Sequence, residues 1–382
     1  MSVLQLPSAR AEGWRWSDLS ALPGLASAER DVAFPCASRE LHWLTGDRTD
    51  GPRLLFVDGV LDAASSRPGP VEIAPLALEA GDHPLAGHAT GTGWSLRLGR
   101  DHAPDGIVQV VHVSTGGADH LPAGIDLDTD AQASVVETFV GTGWANRLTQ
   151  VRLAKGARLM LTRRLLGEGG FNSLTDRAEV GEGASLVAAV LAAGGTDTRL
   201  DGDVRLIGEA AFAEVGGALL ARAKQRHDAN LVLHHARPNG SSRQLWRSVA
   251  DDRATCSVAA RVEVARHAQK TDGEQSLKGL LLSRTATINA KPELEIYADD
   301  VKCVHVATVG ELDREALFYM ASRGIPRADA QALLTRAFVA DALERIGEEA
   351  VREACYADVD AWFSAFPLPS GEGGARREAV GG

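Results

Sequence analysis

One turn recurs along the middle of this chain: a small or charged residue, then alanine, then a short strand-forming run. It occurs at Lys155-Gly-Ala157, Glu182-Gly-Ala184, Glu209-Ala-Ala211, Asp252-Arg-Ala254 and Arg284-Thr-Ala286. The alanines are spaced 27, 27, 43 and 32 residues apart. Between about 90 and 310 the chain offers short alternating runs broken by Gly, Asp and Asn, with no helical period among them. Gln150-Val-Arg-Leu153, Arg158-Leu-Met-Leu-Thr162, Ser185-Leu-Val-Ala188, Asn230-Leu-Val-Leu-His234 and Ala286-Thr-Ile-Asn-Ala290 are examples. A strand of this kind must lay a face on a neighbour. Such a loose repeat fits the rungs of a β-solenoid. It fits equally a β-sandwich that reuses the same turn residues.

The flanks have a different texture. Residues 1–85 read as a mixed, partly helical region. Trp14-Arg-Trp-Ser-Asp-Leu19 suggests entry into a helix capped by Ser17 or Asp18. Leu54-Leu-Phe-Val-Asp-Gly-Val-Leu61 suggests two strands about an Asp-Gly turn. The β core spans 86–312, and from 313 to 366 the period is helical. Asp313 caps a helix carrying Ala316, Leu317, Met320 and Ala321, and Gly324 stops it. Pro326 sits where a first-turn proline is tolerated in the next helix, which places Leu333, Leu334, Ala337, Phe338, Ala340 and Leu343 on one broad face. A third helix carries Val351, Cys355, Val359, Trp362 and Phe363. The Gly- and charge-rich tail, 367–382, reads as disordered.

Composition removes several function classes. With 40 basic and 51 acidic side chains the net charge is −11, unlike the basic stripe of a nucleic-acid binder. The longest apolar runs, such as Leu186–Ala193, fall far short of the ~20 residues that span a bilayer. The first residues lack the charged-then-apolar layout of a signal peptide, so a cytoplasmic protein away from membranes is expected. No P-loop, G-x-S-x-G or H-E-x-x-H pattern is present. Gly91-Thr-Gly-Trp94 and Gly141-Thr-Gly-Trp144 read as turns. The thiols at Cys36, Cys256, Cys303 and Cys355 form no C-x-x-C pair, which excludes a zinc ribbon or a self-contained cluster cradle.

The densest polar chemistry lies in Lys291–Gly310. Strand alternation puts Val301, Cys303, His305 and Ala307 on one face. A thiol and an imidazole two residues apart can serve one metal or one reactive sulfur, but two ligands do not close a site. The plainer reading makes Cys303 a small core residue and His305 a hydrogen-bonded packing group. Asp299-Asp300 admit a third, as acid and base of a β-helix carbohydrate-active enzyme, a glycoside hydrolase or lyase. Upstream, His227-Asp228, His234-His235, Ser242-Arg-Gln244, His267, Lys270-Thr-Asp272 and Gln275 would line successive rungs, or else form a solvated polar face.

Taken together, Lys291-Pro-Glu-Leu-Glu-Ile-Tyr-Ala-Asp-Asp-Val-Lys-Cys303, His305, Ala307-Thr-Val-Gly310, Asp313, Ala316-Leu-Phe-Tyr319 and Ser322-Arg-Gly-Ile325 resemble the SufD branch of the SufB/SufD family, from the SUF iron–sulfur cluster assembly machinery. Ser242-Arg-Gln-Leu245 and Ala268-Gln-Lys-Thr-Asp272 fit the same family, and good agreement covers roughly 225–345. The resemblance implies a right-handed parallel β-helix flanked by N-terminal and C-terminal helical regions, acting as a non-catalytic subunit of a SufBCD complex. It implies pairing with SufB through the end of the β-helix, and a SufC ATPase held by the C-terminal helices, with Leu317, Phe318, Leu333, Leu334 and Phe338 as docking residues. It also implies that His305, with Cys303 beside it, takes part in iron acquisition and in building a transient cluster at the SufB interface. No cofactor is expected to stay on this chain alone. Reduced flavin is an implied guest of the full complex, and a homodimer is left open when SufB is absent. The family usually reads Cys-Ser-His-Gly-Ala-Thr, where this chain has Cys303-Val-His-Val-Ala-Thr308, so bulkier packing against SufB is expected there.

Overall fold

The direction of strand pairing separates a solenoid from a sandwich, since consecutive sandwich strands pair antiparallel through hairpins. The computed structural model describes residues 4, 6–8, 10–30 and 42–364. In it each rung strand pairs in parallel with the strand two places along. Arg158–Leu165 lies between Gln132–Gly141 and Ser185–Ala192, and Trp144–Leu153 lies between Ala118–Leu127 and Phe171–Val180. From Gly91 to Glu311 the chain therefore winds as a parallel β-solenoid of about eight turns, alternating between a ten-stranded and a nine-stranded sheet.

The uneven alanine spacing now has a cause. Ala131, Ala157, Ala184 and Ala211 stack at one corner, each fully buried. Each of their carbonyls accepts a hydrogen bond from the next rung: Arg158 N–H to Ala131, Ser185 to Ala157, Phe212 to Ala184 and Ser241 to Ala211, at 2.9–3.0 Å. Ala254 and Ala286 belong to the opposite corner, leading into Thr255–Val264 and Thr287–Ile296 of the other sheet. The 43-residue gap is a change of corner, not a longer rung. The residue before each corner of the first stack is left-handed: Asp130, Gly156, Gly183, Ala210, Asn239 and Lys270 all have φ between 55° and 69°. Only glycine adopts that region without steric cost. The motif is therefore clear where Gly156 and Gly183 stand, and it fades where Ala210, Asn239 and Lys270 occupy the same place.

The hairpin about Asp58-Gly59 forms as expected, with Val57 opposite Val60 and both turn residues at positive φ. Gly141-Thr-Gly-Trp144 is a turn, whereas Gly91-Thr-Gly-Trp94 lies within the strand Gly91–Leu98. Ser17 and Asp18 cap nothing. The short helix Leu22–Ser27 begins after Ala21 with no side-chain cap, while Asp18 accepts the backbone N–H of Ser20. Ser17 donates to the buried carboxylate of Asp228, which straps this segment onto the solenoid.

The C-terminal helices are Arg314–Ser322, Arg327–Leu343 and Glu349–Ser364. Asp313 caps the first as expected, its Oδ1 accepting from Glu315 N–H at 2.8 Å and more weakly from Ala316. The second buries Ala330, Thr335, Val339, Ala342 and Leu343. The face expected from sequence is thus rotated: Leu333 and Ala337 point to solvent, and Leu334 and Phe338 are half-buried. Val339 and Leu343, with Val351, Cys355, Val359 and Trp362, cover Ala189, Leu191, Ala218, Leu220, Val249 and Leu280 on the outside of the ten-stranded sheet. Among the described residues no helix is long and apolar enough to cross a membrane. The tail 367–382 and Cys36 lie outside the described residues.

Candidate functional site at the open end of the solenoid

The last strand, Val301–Glu311, pairs with Thr271–Leu281 in unbroken register, from Thr271 opposite Val301 to Leu281 opposite Glu311. Without a bulge, alternation holds along its length. On the inner neighbour Thr271, Gly273, Gln275, Leu277 and Gly279 are buried in the lumen, while Asp272, Glu274 and Lys278 are exposed. Their partners Val301, Cys303, His305, Ala307 and Val309 therefore face the lumen where it opens to solvent. Cys303 and His305 do share a face. Val304 and Val306 point the other way, 59% and 48% exposed on the outer surface of the strand. The two valines that depart from the family pattern thus thicken the outside of the edge and leave the thiol and imidazole uncrowded.

Cys303 sits at the lip, packed on the cluster of Val262, Val264, Ala268 and Ala298. Gly273 makes room for it, because a Cβ there would lie 3.3 Å from the sulfur. Burial pushes the Cys303 thiol pKa up, helped by the charge of Asp272 and opposed by a hydrogen bond from the Gly273 backbone. Cys256 and Cys355 are fully buried, and burial drives both upward, Cys355 to about 12. Cys303 is therefore the one partly exposed thiol among the described residues. His305 stands two residues on and is exposed. Among the described residues no three His, Cys, Asp or Glu side chains converge as a metal site. This end presents a thiol and an imidazole side by side, two groups able to ligate a transition metal.

The upstream polar residues disperse. His227 is buried and bonds the Leu220 carbonyl at 3.1 Å, while His235 bonds Ser242 at 2.8 Å; burial lowers both imidazoles to about 4. His234 lies outside between Asp203 and Glu263, and His267 and Lys270 are exposed. Ser242, Gln244 and Gln275 continue towards the site: Ser242 stands in register with Gly273 and Cys303, and the two glutamines stand in register with His305. Sequence reasoning did not reach a buried ionic network in the early turns. There Arg163 bonds Glu137 at 2.8 Å, Thr149 at 3.0 Å and also Asp176, and Glu137 holds His112 at 3.0 Å. The signal was there in principle, since Glu137 and Arg163 are partners on adjacent rungs.

Asp299 and Asp300 lie side by side, exposed on the turn before the last strand, where the backbone of Asp300 bonds Gln269 and Lys270. Leu317 and Phe318 line a cleft of about 580 Å³ with Leu282, Leu312, Arg327 and Gln331. Phe318 is 77% exposed and Leu333 51%.

The fold defines a parallel β-solenoid protein whose last strand in each sheet is paired on one side only. The family model for the SUF system FeS cluster assembly SufBD core domain matches residues 113–338, from the early rungs into the second C-terminal helix. The chain belongs to that family. It is 28% identical over 385 aligned positions to the iron–sulfur cluster assembly protein SufD of Escherichia coli, covering 93% of this chain and 88% of that one. It is 36% identical over 138 positions to an iron–sulfur cluster assembly SufBD family protein of Synechocystis, covering 36% of this chain and 30% of that one. It is 30% identical over 238 positions to the chloroplastic protein ABCI7 of Arabidopsis thaliana, covering 59% and 49%. Within the family it is of the SufD type.

Proposed function

We propose that this chain is a non-catalytic assembly subunit that supplies half of a site for building iron–sulfur clusters, with Cys303 and His305 as its donors. One observation carries this reading. The two side chains share the lumen face of a strand that is paired on one side only, with no third ligand beside them among the described residues. A SufB-type partner would complete the site by docking on the open end, where Val304, Val306, Val309 and Tyr297 form an exposed apolar rim. Iron is the cargo here, taken between thiolate and imidazole before release as a cluster. A SufC-type ATPase would dock on the cleft holding Leu317 and Phe318, with Leu333, Leu334 and Phe338 of the second helix as further docking residues. The first C-terminal helix begins three residues after the last strand ends, so force applied to that helix reaches the strand carrying the donors directly. ATP-driven closure of the ATPase would then shear the interface and expose Cys303 and His305. Reduced flavin, where the full complex holds it, would supply electrons.

The test is cluster reconstitution in the complex of this chain with its SufB-type and SufC-type partners. His305→Ala is expected to abolish cluster absorbance while subunit stoichiometry stays unchanged. Full cluster yield from His305→Ala would overturn the reading.

A further inference from the structure

The lumen is lined mainly by Leu, Val and Ala, yet near its open end two glutamines lie in one column beneath His305. Register sets Gln244 against Gln275 and Gln275 against His305. Both glutamines are buried, Gln275 completely. Their amide orientations are fixed by what they touch. The Gln275 Nε2 donates to Gln244 Oε1 at 2.9 Å and to the Ala260 carbonyl at 2.8 Å, two groups that only accept. Gln244 in turn donates to the Arg261 carbonyl at 3.2 Å. The column is thus a directed ladder that leaves Gln275 Oε1 as its terminal acceptor. That oxygen is buried and has no hydrogen-bond partner among the described residues, the exposed His305 ring included.

We propose that Gln275 is a positioning residue for His305: when the exposed imidazole turns in towards the lumen, the free carboxamide oxygen accepts one ring N–H, selects one tautomer, and leaves the other ring nitrogen free to donate its lone pair at the open end. Adjacent strands lie about 4.8 Å apart, so a side chain one rung up is within reach of that oxygen. Within this sheet Gly273 and Leu277 flank Gln275 on its own strand, and Cys303 and Ala307 flank His305 on the next, so the imidazole is the strongest donor among these described neighbours. A ligating imidazole whose second nitrogen is held by an acceptor has its tautomer and ring plane set in advance. The inference deepens the assembly reading and rests on it for its purpose, but its geometry needs no iron.

The experiment uses the full chain, labelled with ¹⁵N in the histidine rings and free of metal and partners, with two-bond proton–nitrogen correlation reporting the tautomer of His305. The wild-type chain is expected to show one dominant tautomer whose N–H exchanges slowly with water. Gln275→Met, similar in shape but a poor acceptor, is expected to reduce that preference about fivefold, the factor a hydrogen bond worth about 1 kcal/mol imposes. Gln275→Glu keeps an acceptor and is expected to retain the wild-type tautomer. A freely exchanging mixture in the wild-type chain overturns the proposal even if neither variant folds. An unchanged tautomer in folded Gln275→Met overturns it equally. Since no iron is added, a biased tautomer supports the positioning role even if His305→Ala leaves cluster yield intact.

Discussion

The two ends of the solenoid are made differently. At the first end the sheets finish in a two-residue strand, Val60–Leu61, and in Val71–Leu76, an antiparallel strand interrupted by Pro75. Short edges and proline both discourage further strand addition. Behind them the lumen is locked by charge. Burial works against ionising Glu137, yet the charge of Arg163 and the hydrogen bond of His112 hold its carboxyl down to about 2. At the last end both sheets stop on strands of ten and eleven residues, Thr287–Ile296 and Val301–Glu311, each paired on one side. Pro292 interrupts one of them, but the other offers a full edge with apolar side chains exposed. Solenoids need caps to stay soluble. Among the described residues the first end is closed by short strands, and the last leaves a long strand edge uncovered.

This contrast can be broken most severely at the locked end. Arg163→Met leaves Glu137 and Asp176 without their buried cation and is expected to cost about 3–5 kcal/mol in urea unfolding. A loss below about 1 kcal/mol would show that the early turns do not depend on that network. At the open end, Val304→Lys with Val306→Lys is expected to weaken pairing with the SufB-type partner about a hundredfold, by removing apolar contact and placing charge on the edge. The melting temperature of the isolated chain should stay within about 2 °C of wild type, because both side chains are already exposed. Unchanged affinity in a titration with the partner would place the interface elsewhere.

The middle turns give the smallest effect, through pH. His227 is neutral in its buried place with a pKa near 4, below its unfolded value near 6.5. Below pH 6.5 the unfolded chain takes up the proton and the folded chain does not, so stability falls as pH drops through the window from 6.5 to 4. The loss attributable to His227 at pH 5 is about 2 kcal/mol. His227→Gln should reduce by that amount the difference in unfolding free energy between pH 7 and pH 5. An unaltered difference would mean that the imidazole titrates in the folded chain as it does in the unfolded one.

Much of this architecture was legible before any coordinates. The rungs showed because Gly156 and Gly183 occupy left-handed corners that punish other residues, and because alanine recurs in the stacked turn behind them. Their period was blurred where Ala210, Asn239 and Lys270 accept the same strain, and where the motif passed to the opposite corner at Ala254. The cap at Asp313 and the apolar spacing of Val351, Cys355, Val359 and Trp362 are local chemistry, and both held. The rotation of the helix Arg327–Leu343 was not legible. Leu333 and Val339 are equally good core residues in isolation, and only the position of the sheet decides which is covered.

The candidate site divides in the same way. A regular strand forces Cys303 and His305 onto one side, so their companionship follows from a spacing of two. The residues beneath and around them are a matter of winding. Gln244, Gln275 and His305 are about thirty residues apart in steps, and nothing local says that one lies above the other. The sequence by itself determined the repeating strand, the corner turns, the helical close and the pairing of a thiol with an imidazole, because each depends on neighbours within a few residues. The tertiary structure decided which face was lumen, which end was open and which amide stood under the imidazole, because these depend on register between rungs, and register is set only when the whole coil has closed on its core.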